Sequence, residues 1–167
     1  MHAARFNHDK RFDLLLEAYS KLKSKHKLIL LTENCQELKS LVNQYRLNDQ
    51  VIIAGFQKNP YPWFKAADLT LLCSDFEALP TVLIESLICG TPVVSTDCPS
   101  GPREILTGEL NRWLVPPGNP DALANKIEEA LSTDIEIDEQ LIQRFSSDII
   151  IPQYLALIER SRYKPKT

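Results

Sequence analysis

Leu69-Thr70-Leu71-Leu72-Cys73-Ser74-Asp75-Phe76-Glu77-Ala78-Leu79-Pro80-Thr81-Val82-Leu83-Ile84-Glu85-Ser86-Leu87-Ile88-Cys89-Gly90-Thr91-Pro92-Val93-Val94-Ser95 reads as strand, turn, helix, strand. The run Leu69–Leu72 has strand length, and the polar Ser74-Asp75 stops it. Pro80 suits the first turn of a helix, where its missing N–H is not needed, and predicts a helix from Pro80 to Cys89 closed by Gly90. Pro92-Val93-Val94-Ser95 restarts an extended run. Strands that are apolar throughout, instead of alternating, are buried on both faces, as in a parallel sheet covered by helices.

The same unit recurs on both sides of this stretch. Upstream, Leu14-Leu15-Leu16, Ala18, Tyr19 and Leu22 have helical spacing after Asp9 or Asp13. They lead to strand Lys27–Leu31, a helix near Cys35–Tyr45, strand Val51–Ala54 and a short helix near Tyr61–Ala66. Downstream, Pro116-Pro117-Gly118-Asn119-Pro120 stops a last strand before a helix from about Asp121 to Leu131. The fold class expected is α/β, a doubly wound Rossmann-like parallel sheet flanked by helices. After Ser132 the pattern is only helical, with helices over Asp138–Phe145 and Ile149–Arg160. The second is amphipathic through Ile150, Tyr154, Leu157 and Ile158. This divides the chain into a ligand-binding unit at 1–132 and C-terminal helices at 133–167. Only Met1-His2-Ala3-Ala4 precedes Arg5, so the first strand looks cut short; the expectation is a piece of a longer protein with Met1 supplied at the cut.

With 167 residues, 44% of them hydrophobic, the chain has the make-up of one ordinary globular domain. A net charge of −3 offers no general attraction to nucleic acid or an anionic membrane, so an anionic ligand needs a local site. Cys35, Cys73, Cys89 and Cys98 lack zinc or redox spacing and read as packing residues of a reducing, cytoplasmic compartment. No apolar run approaches the roughly 18 residues a membrane span needs.

In an open α/β sheet, ligands bind beyond the carboxyl ends of the strands, where the turn Ser74–Thr81 lies. A helix start there offers free amides and partial positive charge to a diphosphate. Glu77 precedes the helix and Glu85 lies inside it; either carboxylate can accept hydrogen bonds from sugar hydroxyls. Equally, Glu77 suits a helix cap and Glu85 a solvated face, although its apolar neighbours argue for burial and hence for a role. Arg5 and Lys10 taken alone are ordinary surface cations. Trp63 and Trp113 read as packing residues, and His2 and His8 as surface residues or edges of the site. Arg103 and Glu104 start a helix whose role is either packing or cleft lining. Gly55-Phe56-Gln57 ends a strand on the ligand side, within reach of a nucleotide base.

Glu77-x7-Glu85, continued through Gly90-Thr91-Pro92-Val93-Val94, resembles the E-x7-E signature of a large bacterial family of retaining glycosyltransferases, the family 4 type. That family includes phosphatidylinositol mannosyltransferases and lipopolysaccharide glycosyltransferases. Arg5-x4-Lys10 with Phe12-Asp13-Leu14-Leu15-Leu16-Glu17-Ala18 is similar to its opening motif, and the likeness continues through Asp97–Glu104 and Leu114-Val115-Pro116. The resemblance implies the C-terminal, donor-binding half of an enzyme of two Rossmann-like domains, with the last helix crossing to the N-terminal, acceptor-binding half. It implies a nucleoside diphosphate sugar as donor, UDP-linked for preference, and no metal or other cofactor. Arg5 and Lys10 would pair with the diphosphate, Glu77 would contact the sugar and Glu85 the ribose. Ala78, Leu79 and Thr81 would lie near phosphate or sugar, and Gly55 and Phe56 near the base. Surface polysaccharide or lipopolysaccharide synthesis, at most peripheral to the inner membrane, follows from the likeness. A non-catalytic nucleotide-binding module and half of a sugar-nucleotide epimerase are the alternatives. Ala4, Arg11 and Ala78 stand where the family commonly has glycine, and Thr32-Glu33-Asn34 lacks its usual glycine pair, which matters if the backbone there needs positive φ.

Overall fold

A computed structural model of the chain describes residues 1–162. It contains a unit from Met1 to Glu136 and a second, smaller one from Ile137 onward. The first alternates strands and helices: β1 (His2–Ala3), α1 (Phe12–Ser20), β2 (Leu28–Leu31), α2 (Gln36–Gln44), β3 (Val51–Ile53), α3 (Tyr61–Ala66), β4 (Thr70–Leu72), α4 (Thr81–Ile88), β5 (Val93–Thr96), α5 (Pro102–Ile105), β6 (Leu114–Val115) and α6 (Pro120–Leu131). Short 3-10 helices cover His8–Lys10 and Gly108–Trp113.

The strands form two parallel three-stranded sets, β1-β2-β3 and β4-β5-β6. Met1 joins them. Its amino group donates to Leu69 O at 2.5 Å and its carbonyl accepts from Leu71 N at 2.8 Å, two bonds that bracket Thr70 as in a parallel ladder. The resulting order, β3-β2-β1-β4-β5-β6, is that of the doubly wound dinucleotide-binding folds, and its direction reverses between β1 and β4.

The helices make two layers. Helix α1 packs on α2 and α6, whereas α3 packs on α4, which touches α5. Strands β4 and β5 are buried along their whole length, and their hydroxyl residues Thr70, Ser95 and Thr96 are buried with the apolar ones. Under α3 and α4, Met1, Leu31 and Phe64 form a cluster with Ala3, Ile29, Trp63 and Val82 against it. Trp113 is buried, and the guanidinium of Arg112 lies 4.8 Å from its ring; both tryptophans are therefore packing residues. His2 is fully buried, not a surface residue: its Nδ1 lies 2.9 Å from Leu71 O, its ring meets Phe12 edge-on, and burial pushes its pKa down to about 4. All four cysteines are free, and burial raises the thiols of Cys73 and Cys98 above their ordinary range.

The second unit holds α7 (Glu139–Gln143), shorter than the sequence suggests, and α8 (Ser147–Arg162). Ile149, Ile151 and Leu155 are exposed as well as Tyr154, Leu157 and Ile158.

Candidate nucleotide-sugar site

The reversal between β1 and β4 places two loops side by side at the carboxyl edge of the sheet. After β1, Asn7 caps the 3-10 turn by accepting from Lys10 N at 3.1 Å, and Arg11 turns the chain into α1 with a left-handed φ of 47°. After β4, Ser74–Pro80 leads into α4. Asp75 N–H donates to Asp9 O at 2.9 Å, and the side chains complete the join: Lys10 Nζ meets Glu77 Oε1 at 2.5 Å, while Ser74 Oγ donates to the same oxygen at 2.7 Å. The Glu77 side chain is only 11% exposed and that of Lys10 24%, so each charge depends on the other for compensation. Two residues singled out from separate motifs thus form one ion pair. Both donors fall on Oε1.

Two further contacts fix the loop before α4. Thr96 Oγ1 donates to Ser74 O at 2.6 Å, and the backbone of Glu77 pairs in parallel with that of Ser100. Gly101 N–H then donates to Ala78 O at 3.2 Å. A Cβ on Gly101 would fall 2.2 Å from Pro80 Cδ and 2.8 Å from Ala78 O, so only glycine fits. Ser74 and Gly101 are the residues sequence reasoning missed. The signal was the Pro99-Ser100-Gly101-Pro102 run, legible as a turn but silent about what the turn touches. Beside it, Arg103 pairs with Asp97 through Nε at 3.0 Å and is otherwise exposed.

Helix α4 begins without a side-chain cap, Pro80 being its first boundary residue, and Ala78, Leu79 and Thr81 around its start are exposed. Uncapped first-turn amides with the helix dipole behind them suit an anion. A buried hydroxyl network anchors the helix: Ser86 Oγ lies 2.8 Å from Thr70 Oγ1 and 3.0 Å from Thr91 O, and Thr91 Oγ1 donates to Phe64 O at 2.6 Å. Glu85, next to Ser86, is half-buried, and its carboxylate has no ion-pair or hydrogen-bond partner among the described residues. It is thus neither a member of the Lys10–Glu77 pair nor a freely solvated residue.

Arg5 is exposed and does not join that pair. It lines a cleft of about 220 Å³ beyond β1, β2 and β3, together with Glu33, Phe56 and Gln57. Phe56 is 85% exposed, and Gln57 Nε2 holds the turn by donating to Ala54 O at 2.7 Å. Gly55 provides the turn, with φ 79°, but does not line the cleft. Larger cavities lie elsewhere. One of about 420 Å³ opens at the amino edge among Lys25, His26 and Asp68, and one of about 460 Å³ lies between Phe6 and α2. The sheet's geometry favours the smaller, carboxyl-edge cleft for a ligand.

Of the positions where a side chain replaces an expected glycine, Ala4 and Ala78 have negative φ; only Arg11 is left-handed. The concern that Ala78 distorts the loop is therefore removed.

Residues 1–146 match the family described as glycosyl transferases group 1. The chain belongs to that family. An N-acetylgalactosaminyltransferase acting on an undecaprenol-diphosphate-linked acceptor in Campylobacter jejuni is 33% identical over 136 residues, which is 80% of this chain and 37% of that protein. Lipopolysaccharide 1,6-galactosyltransferase of Escherichia coli is 28% identical over 83% of this chain and 40% of its own length. The chain therefore spans well under half the length of these glycosyl transferases group 1 relatives. The crystal structure of Anabaena HepE in complex with UDP and glucose superposes with a TM-score of 0.78 at 23% identity, over 96% of this chain and 47% of that one. The doubly wound fold is thus shared, and this chain matches about half of that protein.

Proposed function

We propose that this chain is the donor-binding domain of a retaining glycosyltransferase that moves a hexose from a nucleoside diphosphate, UDP for preference, during synthesis of a surface polysaccharide or lipopolysaccharide. The observation that carries this reading is the Lys10–Glu77 pair at the sheet's reversal point, beside the uncapped start of α4. The names of the relatives and the UDP and glucose in HepE point the same way.

Lys10 and Arg5 compensate the diphosphate, whose charge grows as the glycosidic bond breaks. The amides around Leu79 and Thr81 add to this field, and no metal is required. Glu77, with Oε2 unused by Lys10 or Ser74, accepts from a sugar hydroxyl and stabilises positive charge at the anomeric carbon. Its oxygen is committed to an ion pair, which suits a positioning carboxylate better than a nucleophile. Glu85 accepts from the ribose hydroxyls. Phe56, with Gly55 behind it, offers a flat apolar face to the base.

The acceptor and its binding residues belong to an N-terminal domain outside this chain, and the whole enzyme works in the cytoplasm, at most peripheral to the membrane; no described helix is long and apolar enough to cross one. The chain alone therefore binds nucleotide but transfers little sugar, since both substrates must be held in register. Calorimetric titration with UDP-, GDP- and ADP-hexoses tests the reading. One of them should bind, and Glu85→Gln should weaken it about tenfold, the loss of one or two good hydrogen bonds. Failure of all three to bind, or robust transfer by the isolated chain, sinks the proposal.

A further inference from the structure

We infer that Arg11 is a positioning residue of the donor site, holding Lys10 and Glu77 in register through a two-carboxylate clamp on Asp13 and Asp75. The inference rests on the donor-binding reading above.

Arg11 stands in a left-handed conformation, φ 47°, that costs a residue with a side chain about 1 kcal/mol and glycine almost nothing. Its side chain is fully committed. Nη1 donates to both oxygens of Asp75, at 2.9 and 3.0 Å, and Nε to both oxygens of Asp13, at 2.9 and 3.2 Å. Nη2 adds a bond of 2.8 Å to Asp13 Oδ2. All three nitrogens are engaged, so Arg11 is not a spare phosphate ligand, although it follows Lys10 directly. Bidentate guanidinium–carboxylate pairs fix orientation as well as distance, which lysine cannot do.

The geometry shows what is being fixed. Arg11 is adjacent to Lys10 in the first loop, and Asp75 precedes Glu77 by two residues in the second. The loops are tied at three places: Asp75 N to Asp9 O, Arg11 to Asp75, and Lys10 to Glu77. When a diphosphate draws the Lys10 ammonium toward its oxygens, the third tie weakens. Arg11 and the Asp75–Asp9 backbone bond then remain as the ties between the two loops, while Ser74, Ser100 and Gly101 hold Glu77 and Ala78 from the other side. The clamp therefore matters more in the nucleotide-bound state than in the empty one. A residue acting only in packing would affect both alike.

The test compares UDP, whose β-phosphate engages Lys10, with UMP, which lacks it, by calorimetry on the whole chain. The variants are Arg11→Gly, Asp75→Asn and the double replacement. Glycine accepts the left-handed backbone, so Arg11→Gly keeps the fold, and circular dichroism verifies this. Each single variant should weaken UDP about tenfold and leave UMP within a factor of two, while the double variant should be no weaker than either single, as for two partners in one interaction. Equal losses for UDP and UMP, losses that multiply in the double variant, or unchanged UDP affinity would each overturn the assignment. If the unaltered chain binds no UDP, the donor reading fails and this inference with it. If it binds UDP and Lys10→Ala abolishes binding while Arg11→Gly does not, only the clamp is wrong.

Discussion

Glu77 shows how one carboxylate can be both a structural liability and a tool. Its side chain is only 11% exposed, and Lys10 and Ser74 both donate to it. Lys10→Met should therefore cost about 2 kcal/mol of stability in urea denaturation, allowing for the partial exposure of the lysine. The double variant Lys10→Met with Glu77→Gln should recover part of that loss, because no unpaired charge remains. His2 supplies a second prediction. Its pKa falls from 6.5 to about 4 on folding, so the native state resists a proton that the unfolded chain accepts. Stability from this group is complete above pH 6.5 and declines as pH falls toward 4, by about 3 kcal/mol in all. His2→Gln, which keeps a donor for Leu71 O, should flatten the denaturation midpoint over that window relative to the unaltered chain. Equal slopes would show that His2 is not responsible. At this scale the sequence was only half informative. The motifs brought Lys10 and Glu77 forward as candidates, but the role of Arg11 depends on Asp75, 64 positions away, and that pairing has no local signature.

Among elements, legibility followed burial. Strands β4 and β5 were readable because burial on both faces favours apolar runs, Leu71-Leu72 and Val93-Val94, and their buried hydroxyl residues Thr70, Ser95 and Thr96 are small enough to fit a strand. Helix α1 was placed from Leu14 onward, yet it begins at Phe12, because its start is set by a left-handed Arg11 and not by a capping side chain. The α4 start depends on a neighbour from another connection. Gly101→Ala would drive a methyl group into Pro80 and the Ala78 carbonyl. The expected cost is about 2 kcal/mol, typical of overpacking, with weakened diphosphate binding as the α4 start is displaced. Thermal denaturation and nucleotide titration check both. An unchanged titration would mean that the loop after β5 does not hold the binding geometry.

At the scale of the whole molecule, the two units differ in how well they satisfy themselves. The first buries most of its large apolar side chains and exposes scattered ones such as Phe56 and Phe76, whereas α8 exposes Ile151, Tyr154, Leu155 and Leu157 close together on a helix that contains Pro152. An apolar surface of that kind binds hydrophobic dyes or a partner surface. Replacing Tyr154 and Leu157 by Glu should lower dye fluorescence without moving the main thermal transition of residues 1–136. A shift in that transition would mean the helix contributes to the core.

The junction of the two half-sheets has a consequence in time. Met1 bonds to Leu69 across a separation of 68 residues, and β1 contributes only His2–Ala3 to the ladder. The β1-β2-β3 half consists of near neighbours in the chain, but its union with β4-β5-β6 must close a loop of that length before any bond rewards it. During synthesis the first three residues must wait, unpaired on one side, until Leu71 has emerged. The seam that demands the longest loop closure in the sheet is the one beside which the ligand is expected to bind.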